Sequence, residues 1–527
     1  MSTARMAGVF RWLPALAALG YAFVLLRRVH DIVGQLTWNA DYVSVMVIAQ
    51  SIGEHGKAGR AVVIQSGWAW YDLATLHLPF HRQLWEYTPF AMAMMSLALI
   101  AWAAWRLAGP FAGVLAASIG IAASPLTLGT QLAQSYHGTT WLGAAVLAAY
   151  LCLLLTKPMR PLTLALISVA VALIAGYATA TDPLLVPAGD APFALAVLAV
   201  WRVRPDEPLV RPAAATAVGA GVVGGAVLLA NRLAGVGSSF PRGLTHFVTP
   251  GHIAGNARQL VSGLFEVAGM PRGGSALGVV LGLFLVAALI APMVWLIRSR
   301  SRGMSSGTLA VTVFWCASTV CVAGAFFFSD IPSDFLQNAG RYLIPMFYSA
   351  AATVPLWASG SHLRAALIAA PAALLIGANA VSVEQAAAAQ RFEPSFSPSL
   401  SAPIAFLEEH GLRRGYAAYD NAAPMTWKTD FALQVYPATE VFVSPDDQCG
   451  DPICPFAYNS IADWYRGGDG PTFILVSPGI ARLDQPPPAG LDTVESVFNV
   501  DGYTIYVYAD DVATHMGTPR RFTRPLF

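Results

Sequence analysis

The feature that most constrains this chain is a series of long apolar runs separated by polar breaks. A helix needs about 20 mostly apolar residues to cross the hydrocarbon core of a bilayer. Of the 527 residues, 56% are hydrophobic and 12% are charged, whereas soluble domains carry roughly a quarter charged residues. We therefore predict an α-helical polytopic membrane protein. About eleven runs can be counted, with approximate limits 12–30, 88–105, 110–130, 140–156, 162–180, 187–201, 212–230, 276–297, 307–328, 341–358 and 364–382.

The charges around these runs predict an orientation. The first run ends in Arg27-Arg28 with no small-residue cleavage site, so we expect a retained helix rather than a cleaved signal peptide. Lys and Arg in short loops stay on the cytoplasmic side. An N-terminus inside and eleven spans therefore place the C-terminal segment outside a cell membrane, and the Ala-rich composition favours a bacterial one. The short inner loops then contain Arg106, Lys157, Arg160, Arg202, Arg204, Arg211, Arg298, Arg300, Arg302 and Arg364.

Two domains are predicted: a transmembrane domain over 1–383 and an extracytoplasmic α/β domain over 384–527. In the second domain, residues 402–411 have a helical pattern that ends at Gly411. Residues 473–476 form an apolar run typical of a buried strand. Two alternating segments around Val500-Asp501-Gly502 indicate a hairpin.

Two outer loops are long, at about 31–87 and 231–275. The first contains the run 42–52, which predicts a helix lying in the membrane interface or, equally, one packed on neighbouring spans. We expect Gly and Pro to break the second loop into short pieces.

The cysteines fall into two groups. Cys152, Cys316 and Cys321 lie in apolar runs and are expected to be packing residues. Cys449 and Cys454 flank a short polar loop near the C-terminus, which favours a disulfide in an oxidising compartment, with free thiols as the alternative.

Polar residues gather at the predicted outer ends of the spans, whereas the central turns of the spans are almost free of ionisable residues. Ion-coupled transporters place such residues at mid-membrane, so this distribution disfavours transport. The first carboxylate of the group, Asp41, lies shortly after the first run. The candidates are Asp41, Asp72, Glu86, His137, Asp182, Arg341 and Tyr342.

The order of elements over residues 10–360 resembles the GT-C class of membrane glycosyltransferases, and within it the protein O-mannosyltransferases and lipid A aminoarabinose transferases. Asn39-Ala40-Asp41-Tyr42 occupies the place where that class opens its first outer loop with an acidic residue. Trp85-Glu86-Tyr87-Thr88-Pro89 resembles the Pro-containing entry to the second span. The resemblance implies transfer of a sugar from a polyprenyl-phosphate donor to an extracytoplasmic glycan, lipid or protein.

The chain departs from the pattern of that class at three places. The second acidic residue of the first-loop motif is replaced by Tyr42. His137 stands where many relatives carry an Asp, and Asp182 stands where a cation is common. These departures leave open whether a divalent metal is needed and how the phosphate is recognised.

The resemblance and the chemistry together suggest roles. An acceptor hydroxyl must lose a proton as it attacks, so Asp41 is the predicted general base, with a helix N-cap as the alternative. Glu86 and Asp182 are further catalytic candidates, with loop and turn residues as their alternatives. Arg341 is expected to bind the carrier phosphate, or else to be an interfacial cation anchored by Tyr342. His137 and Asp72 complete the predicted substrate-binding set, against structural or solvated roles.

Other activities find little support in the sequence. A net charge of +1 gives no reason to expect a nucleic-acid partner. We find no phosphate-binding loop, dinucleotide fingerprint or zinc-protease motif, so a lipid-linked donor is favoured over a nucleotide sugar. The alternatives kept open are a transporter or flippase and a non-catalytic scaffold.

Overall fold

The structure is a computed structural model that carries no ligand. It describes residues 10–55, 61–62, 81–133, 135–233, 248–270, 274–299, 303–329, 339–390, 400–439, 454–456, 460–478 and 494–516.

Most of the described chain is helical up to residue 388. Helices appear at every apolar run of the sequence, because a backbone in lipid must satisfy its hydrogen bonds within the segment. A π-turn at Val186–Asp190 precedes α8, and a short 3₁₀ turn at Ala339–Leu343 precedes α13. The helices are α1 (Leu13–Leu36), α2 (Ala40–His55), α3 (Arg82–Ala108), α4 (Pro110–Ile121), α5 (Pro125–Ala133), α6 (Ser135–Thr156), α7 (Pro161–Thr181), α8 (Ala191–Val203), α9 (Val210–Leu233), α10 (Ile253–Ala268), α11 (Ala276–Ser299), α12 (Ser306–Phe327), α13 (Ile344–Ser359) and α14 (His362–Ala388).

Within the described ranges, eight helices are long and apolar enough to cross a membrane. The chain is therefore an integral membrane protein. Helices α1 and α13 also occupy predicted runs but are not among these eight. The count of eleven spans and the outward C-terminus stay predictions.

The run 110–130, predicted as one span, is divided into two helices, as in a broken span or a re-entrant loop. Helices α4 and α5 meet at an angle of 89°. Pro125 begins α5, and a residue before proline is disfavoured in helical conformation. The hydroxyl of Ser124 accepts a hydrogen bond from the backbone N–H of Thr127 at 3.2 Å, which satisfies a donor at the start of α5.

The structure decides between the two alternatives for the first long loop and corrects the prediction for the second. In α2, every residue from Tyr42 to Val47 is buried, with at most 4% exposure, so no face of this stretch is left for lipid. The helix is packed, and the interfacial alternative is wrong. The second loop is not broken into short pieces throughout, because Ile253–Ala268 forms a 16-residue helix that ends at Gly269 in the left-handed region.

The chain divides into two compact units. The first contains Met1–Ile32, Thr88–Leu229 and Arg242–Glu393; the second contains Val33–Tyr87, Ala230–Pro241 and Pro394–Phe527. The first outer loop therefore belongs to the same unit as the C-terminal region. Strand β1 (Ala61–Val62) pairs antiparallel with β5 (Ser460–Ile461) inside this second unit. The predicted division at residue 384 stays a prediction.

The C-terminal region is a small α/β fold, as the sequence predicts. Helix α15 (Ser401–Glu409) and the strand at 472–476 lie where expected, and Gly411 has φ of 67°. The hairpin is also confirmed, since Asp501 and Gly502 both have positive φ in its turn. The remaining elements are β2 (Arg414–Ala417), α16 (Tyr419–Lys428), β3 (Gln434–Thr439), β4 (Cys454–Pro455), β6 (Thr472–Val476), β7 (Val494–Val500) and β8 (Tyr503–Tyr508).

Six of these strands form one sheet in the order β4-β3-β2-β6-β8-β7. Strand β2 lies parallel to both β3 and β6. Because side chains alternate across a strand, Tyr416 and Ala417 enter different clusters. Ala417 packs with Leu407 and Met425 beneath α15 and α16, whereas Tyr416 packs with residues such as Tyr508.

The predicted Cys449–Cys454 disulfide stays a prediction, because Cys449 lies outside the described residues. Cys454 is in β4. Cys152, Cys316 and Cys321 are free thiols in apolar helices, and two of them are fully buried, which agrees with a packing role.

Candidate functional site

Asp41 lies in the first turn of α2, in the second unit, and its side chain is half-buried. The helix is capped by the preceding residue, Asn39, whose side-chain oxygen accepts a hydrogen bond from the backbone N–H of Asp41 at 2.8 Å. The Asp41 carboxylate is therefore not the N-cap of this helix. The alternative role that the sequence allowed for Asp41, as a helix cap, does not apply. A carboxylate in the first helical turn is also stabilised by the helix dipole.

The start of α16 supplies a partner for this carboxylate. The hydroxyl of Tyr419 donates to Asp41 Oδ1 at 3.2 Å. The Ser44 hydroxyl, one turn further along α2, shares its proton between the Ala40 carbonyl at 2.6 Å and the Tyr419 oxygen at 3.1 Å. The first turns of α2 and α16 therefore meet through Tyr419.

Asp420 brings a second carboxyl to the same place. Its side chain is accessible to solvent, yet the surrounding protein is dense enough to penalise the charged form. This desolvation raises the pKa of Asp420 to about 6, and the negative charge of Asp41 adds to the rise. A carboxyl whose pKa is raised by burial and by a neighbouring charge is a candidate for a functional site.

This pKa gives a test that needs no substrate. We expect carbodiimide labelling of Asp420, followed by mass spectrometry of the purified protein, to persist to about pH 6, because the reagent modifies protonated carboxyls. The Asp41→Asn variant removes the like charge, so its labelling profile is expected to move to lower pH. Because desolvation is the larger cause, part of the rise should remain.

The matched control for this labelling test is Asp501→Asn, which removes a charge from the hairpin turn. It should leave the profile of Asp420 in place. An Asp420 profile that is the same in Asp41→Asn as in the natural protein would contradict the proximity of the two carboxyls.

Topology explains why polar residues collect at the start of α16. Strand β2 connects through α16 to β3, its neighbour on one side in the sheet. Its neighbour on the other side, β6, connects to β7 at the opposite edge of the sheet. Sites in open α/β sheets lie at the carboxyl ends of strands where connections diverge in this way. Here the Asn421 amide, after β2, donates to the Ser477 hydroxyl, after β6, at 2.7 Å.

Glu86 lies at the other end of α16. Its carboxylate accepts from the Trp427 indole N–H at 3.0 Å and from Arg82 Nε at 3.3 Å. Its backbone carbonyl accepts from the Tyr42 hydroxyl. Tyr419 and Trp427 are eight residues apart, or about 12 Å along a helix, so Asp41 and Glu86 bind opposite ends of α16.

A cationic cluster surrounds Glu86. Arg82 stacks on the Trp427 ring at 4.3 Å and pairs with Asp430 at 2.6 Å. Lys428 donates to the Gly34 carbonyl at 2.6 Å and lies 4.6 Å from the centre of the Trp38 ring. Burial lowers the pKa of Lys428 to about 8, although the Glu86 charge opposes this. These bonds indicate that Glu86 anchors α16.

Three of the other predicted site residues, Asp182, Arg341 and Tyr342, lie in the first unit. Asp182 is 3% exposed and follows α7. It accepts hydrogen bonds from the Thr140 hydroxyl and, at 3.0 Å, from the backbone N–H of Leu184. The Arg341 guanidinium donates to the Tyr342 hydroxyl at 3.0 Å and stacks on its ring at 4.9 Å.

The last two predicted site residues are less informative. His137 lies in the first turn of α6, and its side chain is outside the described part of the structure. Asp72 is also outside the described residues. In the described ranges, no group of three His, Cys, Asp or Glu side chains is placed to hold a metal ion.

Sequence reasoning missed Tyr419 and Asp420. They are 378 residues or more from Asp41, and no local motif links them to it. One signal was available, because Arg414–Ala417 is a short strand and a polar pair begins two residues beyond its carboxyl end. Asp420 therefore adds a second carboxyl near Asp41 that the first outer loop does not supply.

No protein-family model and no curated protein matches this chain. Among solved structures, ArnT from Cupriavidus metallidurans bound to undecaprenyl phosphate is similar at 12% identity, covering 94% of this chain and 98% of that chain, with a TM-score of 0.42. The same ArnT in the apo state is similar at 13% identity over the same shares, with a TM-score of 0.41. Likeness at these TM-scores carries no weight for function, so the conclusion below rests on this chain's own residues.

Proposed function

We propose that this protein is a membrane glycosyltransferase of the GT-C type, which transfers a sugar from a polyprenyl-phosphate donor to an acceptor hydroxyl outside the cytoplasm. One observation carries the proposal. The half-buried Asp41 carboxylate does not cap its helix, because Asn39 does, and it accepts a hydrogen bond from the Tyr419 hydroxyl. A fixed carboxylate at this place in the chain suits a general base for an incoming alcohol.

The reaction follows from this assignment. The acceptor oxygen attacks the anomeric carbon while the bond from that carbon to the phosphate oxygen breaks. Asp41 takes the hydroxyl proton, and the phosphate leaves with the electron pair of the broken bond. Direct attack from the face opposite the phosphate inverts the anomeric centre.

The leaving phosphate needs positive charge nearby. We assign this role to Arg341, whose guanidinium can bind a phosphate in bidentate fashion and is already oriented by stacking on Tyr342. Asp182, held by Thr140 and the Leu184 amide, is proposed to orient the acceptor. Glu86 is proposed as an anchor rather than a base, since Arg82 and Trp427 occupy one of its carboxylate oxygens.

A donor panel tests the proposal. Purified protein is incubated with polyprenyl-phosphate sugars and, in parallel, with nucleotide sugars, and the released polyprenyl phosphate is measured with a hydroxyl acceptor present. We expect turnover with at least one lipid-linked donor and none with nucleotide sugars. Turnover with nucleotide sugars alone, or with no donor of either class, would contradict the proposed function.

A further inference from the structure

We propose that Tyr419 is a positioning residue for Asp41, so that the C-terminal α/β region forms part of the catalytic site. This inference rests on the proposed role of Asp41 as the base. It assigns a catalytic purpose to a region that the sequence indicates only as a soluble domain.

The first support is the contact of Tyr419 with one of the two carboxylate oxygens of Asp41. Its hydroxyl donates to Oδ1 at 3.2 Å. No described residue makes a hydrogen bond or ion pair to Oδ2 of Asp41. A base that is held at one oxygen by a fixed donor has a fixed direction in which to receive a proton at the other oxygen.

The second support is the rigidity of the Tyr419 side chain. Its ring packs against Phe456 with centroids 5.3 Å apart. Its oxygen also accepts from Ser44, and Ser44 is 1% exposed. Tyr419 is therefore held from both sides, by α2 and by the segment that follows β4. A hydroxyl confined in this way loses little conformational entropy when it orients the carboxylate.

The third support is the origin of Tyr419 in the fold. It lies two residues beyond the end of β2, which is paired on both sides by parallel strands. Asn421, two residues further on, is tied into the same edge by its hydrogen bond to Ser477. The position of the hydroxyl is thus set by the sheet rather than by a loose loop.

In Tyr419→Phe, Asp41 loses the donor that orients its carboxylate. We expect kcat to fall about tenfold because the base is less well oriented, less than the roughly hundredfold cost of an ångström-scale misplacement. The KM for the donor should change little, because Tyr419 acts through the base and not through binding of the donor. The loss should disappear in the Asp41→Asn background, because the group that Tyr419 orients is then absent.

The experiment compares three full-length proteins: the natural chain, Tyr419→Phe and the control Tyr506→Phe. Tyr506 is a half-buried tyrosine of β8 in the same unit. Each tyrosine change is also made in the Asp41→Asn background. Initial rates over a range of concentrations of the accepted lipid-linked donor give kcat and KM for every protein.

Support for the inference is a kcat loss in Tyr419→Phe that is absent when Asp41 is already asparagine, with kcat unchanged in Tyr506→Phe. A natural kcat in Tyr419→Phe, or the same fold loss in both backgrounds, would overturn the inference while the proposed function stands. If the natural chain uses no donor, the proposed function fails, and the catalytic purpose of Tyr419 fails with it. A Tyr419→His variant that returns kcat towards the natural value would show that the donor matters and not the ring.

Discussion

Replacing Asp41 with asparagine is expected to lower kcat by about 10²- to 10⁴-fold, the usual contribution of general-base catalysis. Asparagine keeps the shape of the side chain, and its oxygen can still accept from Tyr419, but it cannot take the proton of an acceptor hydroxyl. The KM for the lipid-linked donor should change little, because the interaction removed is made in the transition state. Initial rates over a range of donor concentrations measure both constants.

The matched control for the base is Asp501→Asn, an equivalent change in the positive-φ turn of the hairpin. Asparagine tolerates that backbone conformation, so folding and turnover should be preserved. If Asp41→Asn retained the natural kcat while remaining folded, the base would lie elsewhere, and Asp182 would be the next candidate.

Replacing Trp427 with alanine is expected to cost about 3–5 kcal/mol of unfolding free energy, as for other fully buried tryptophans. The ring is 0% exposed and lies beneath the Arg82 guanidinium. Its loss leaves a cavity, removes the indole donor from Glu86 and exposes Arg82 to water. Denaturant unfolding in detergent, followed by fluorescence of the remaining tryptophans, measures the change.

The control for Trp427→Ala is Trp427→Phe, which keeps most of the ring but removes the N–H to Glu86. Its cost should be close to that of one hydrogen bond to a charged group, about 1.5–3 kcal/mol. An alanine variant as stable as the natural protein would contradict the packing of α16 against the first outer loop.

The sequence predicts the helical membrane region and the C-terminal hairpin well, because both depend on local patterns. Apolar runs become helices wherever the backbone must bond to itself in lipid. The Asp501-Gly502 pair favours the positive φ values that a tight hairpin turn requires.

Two further features of the fold correspond to signals that the sequence does contain. Pro125 inside the run 110–130 marks the break between α4 and α5, since it disfavours helix at Ser124. In the run 42–52, apolar residues occupy every face of the helix and not one stripe. A helix that is apolar all round is typically buried, as Val43, Met46 and Ile48 are.

The composition of the site could be predicted only in part. Asp41 was identified from its place after the first apolar run, which is a local property. Tyr419 and Asp420 could not be, because their proximity to Asp41 depends on the packing of α16 against α2. The pairing of β1 with β5 is another contact of this long-range kind, for which the two short segments offer no pattern.

The anomeric configuration of the transferred sugar tests the central claim most directly. If Asp41 is a base that deprotonates the acceptor during direct displacement, then the product must have the configuration opposite to that of the donor. Nuclear magnetic resonance of the product, set against the donor of known configuration, decides this. Inversion is the predicted result. Retention would mean that a sugar–enzyme intermediate forms first, and would contradict the assignment of Asp41 as the base.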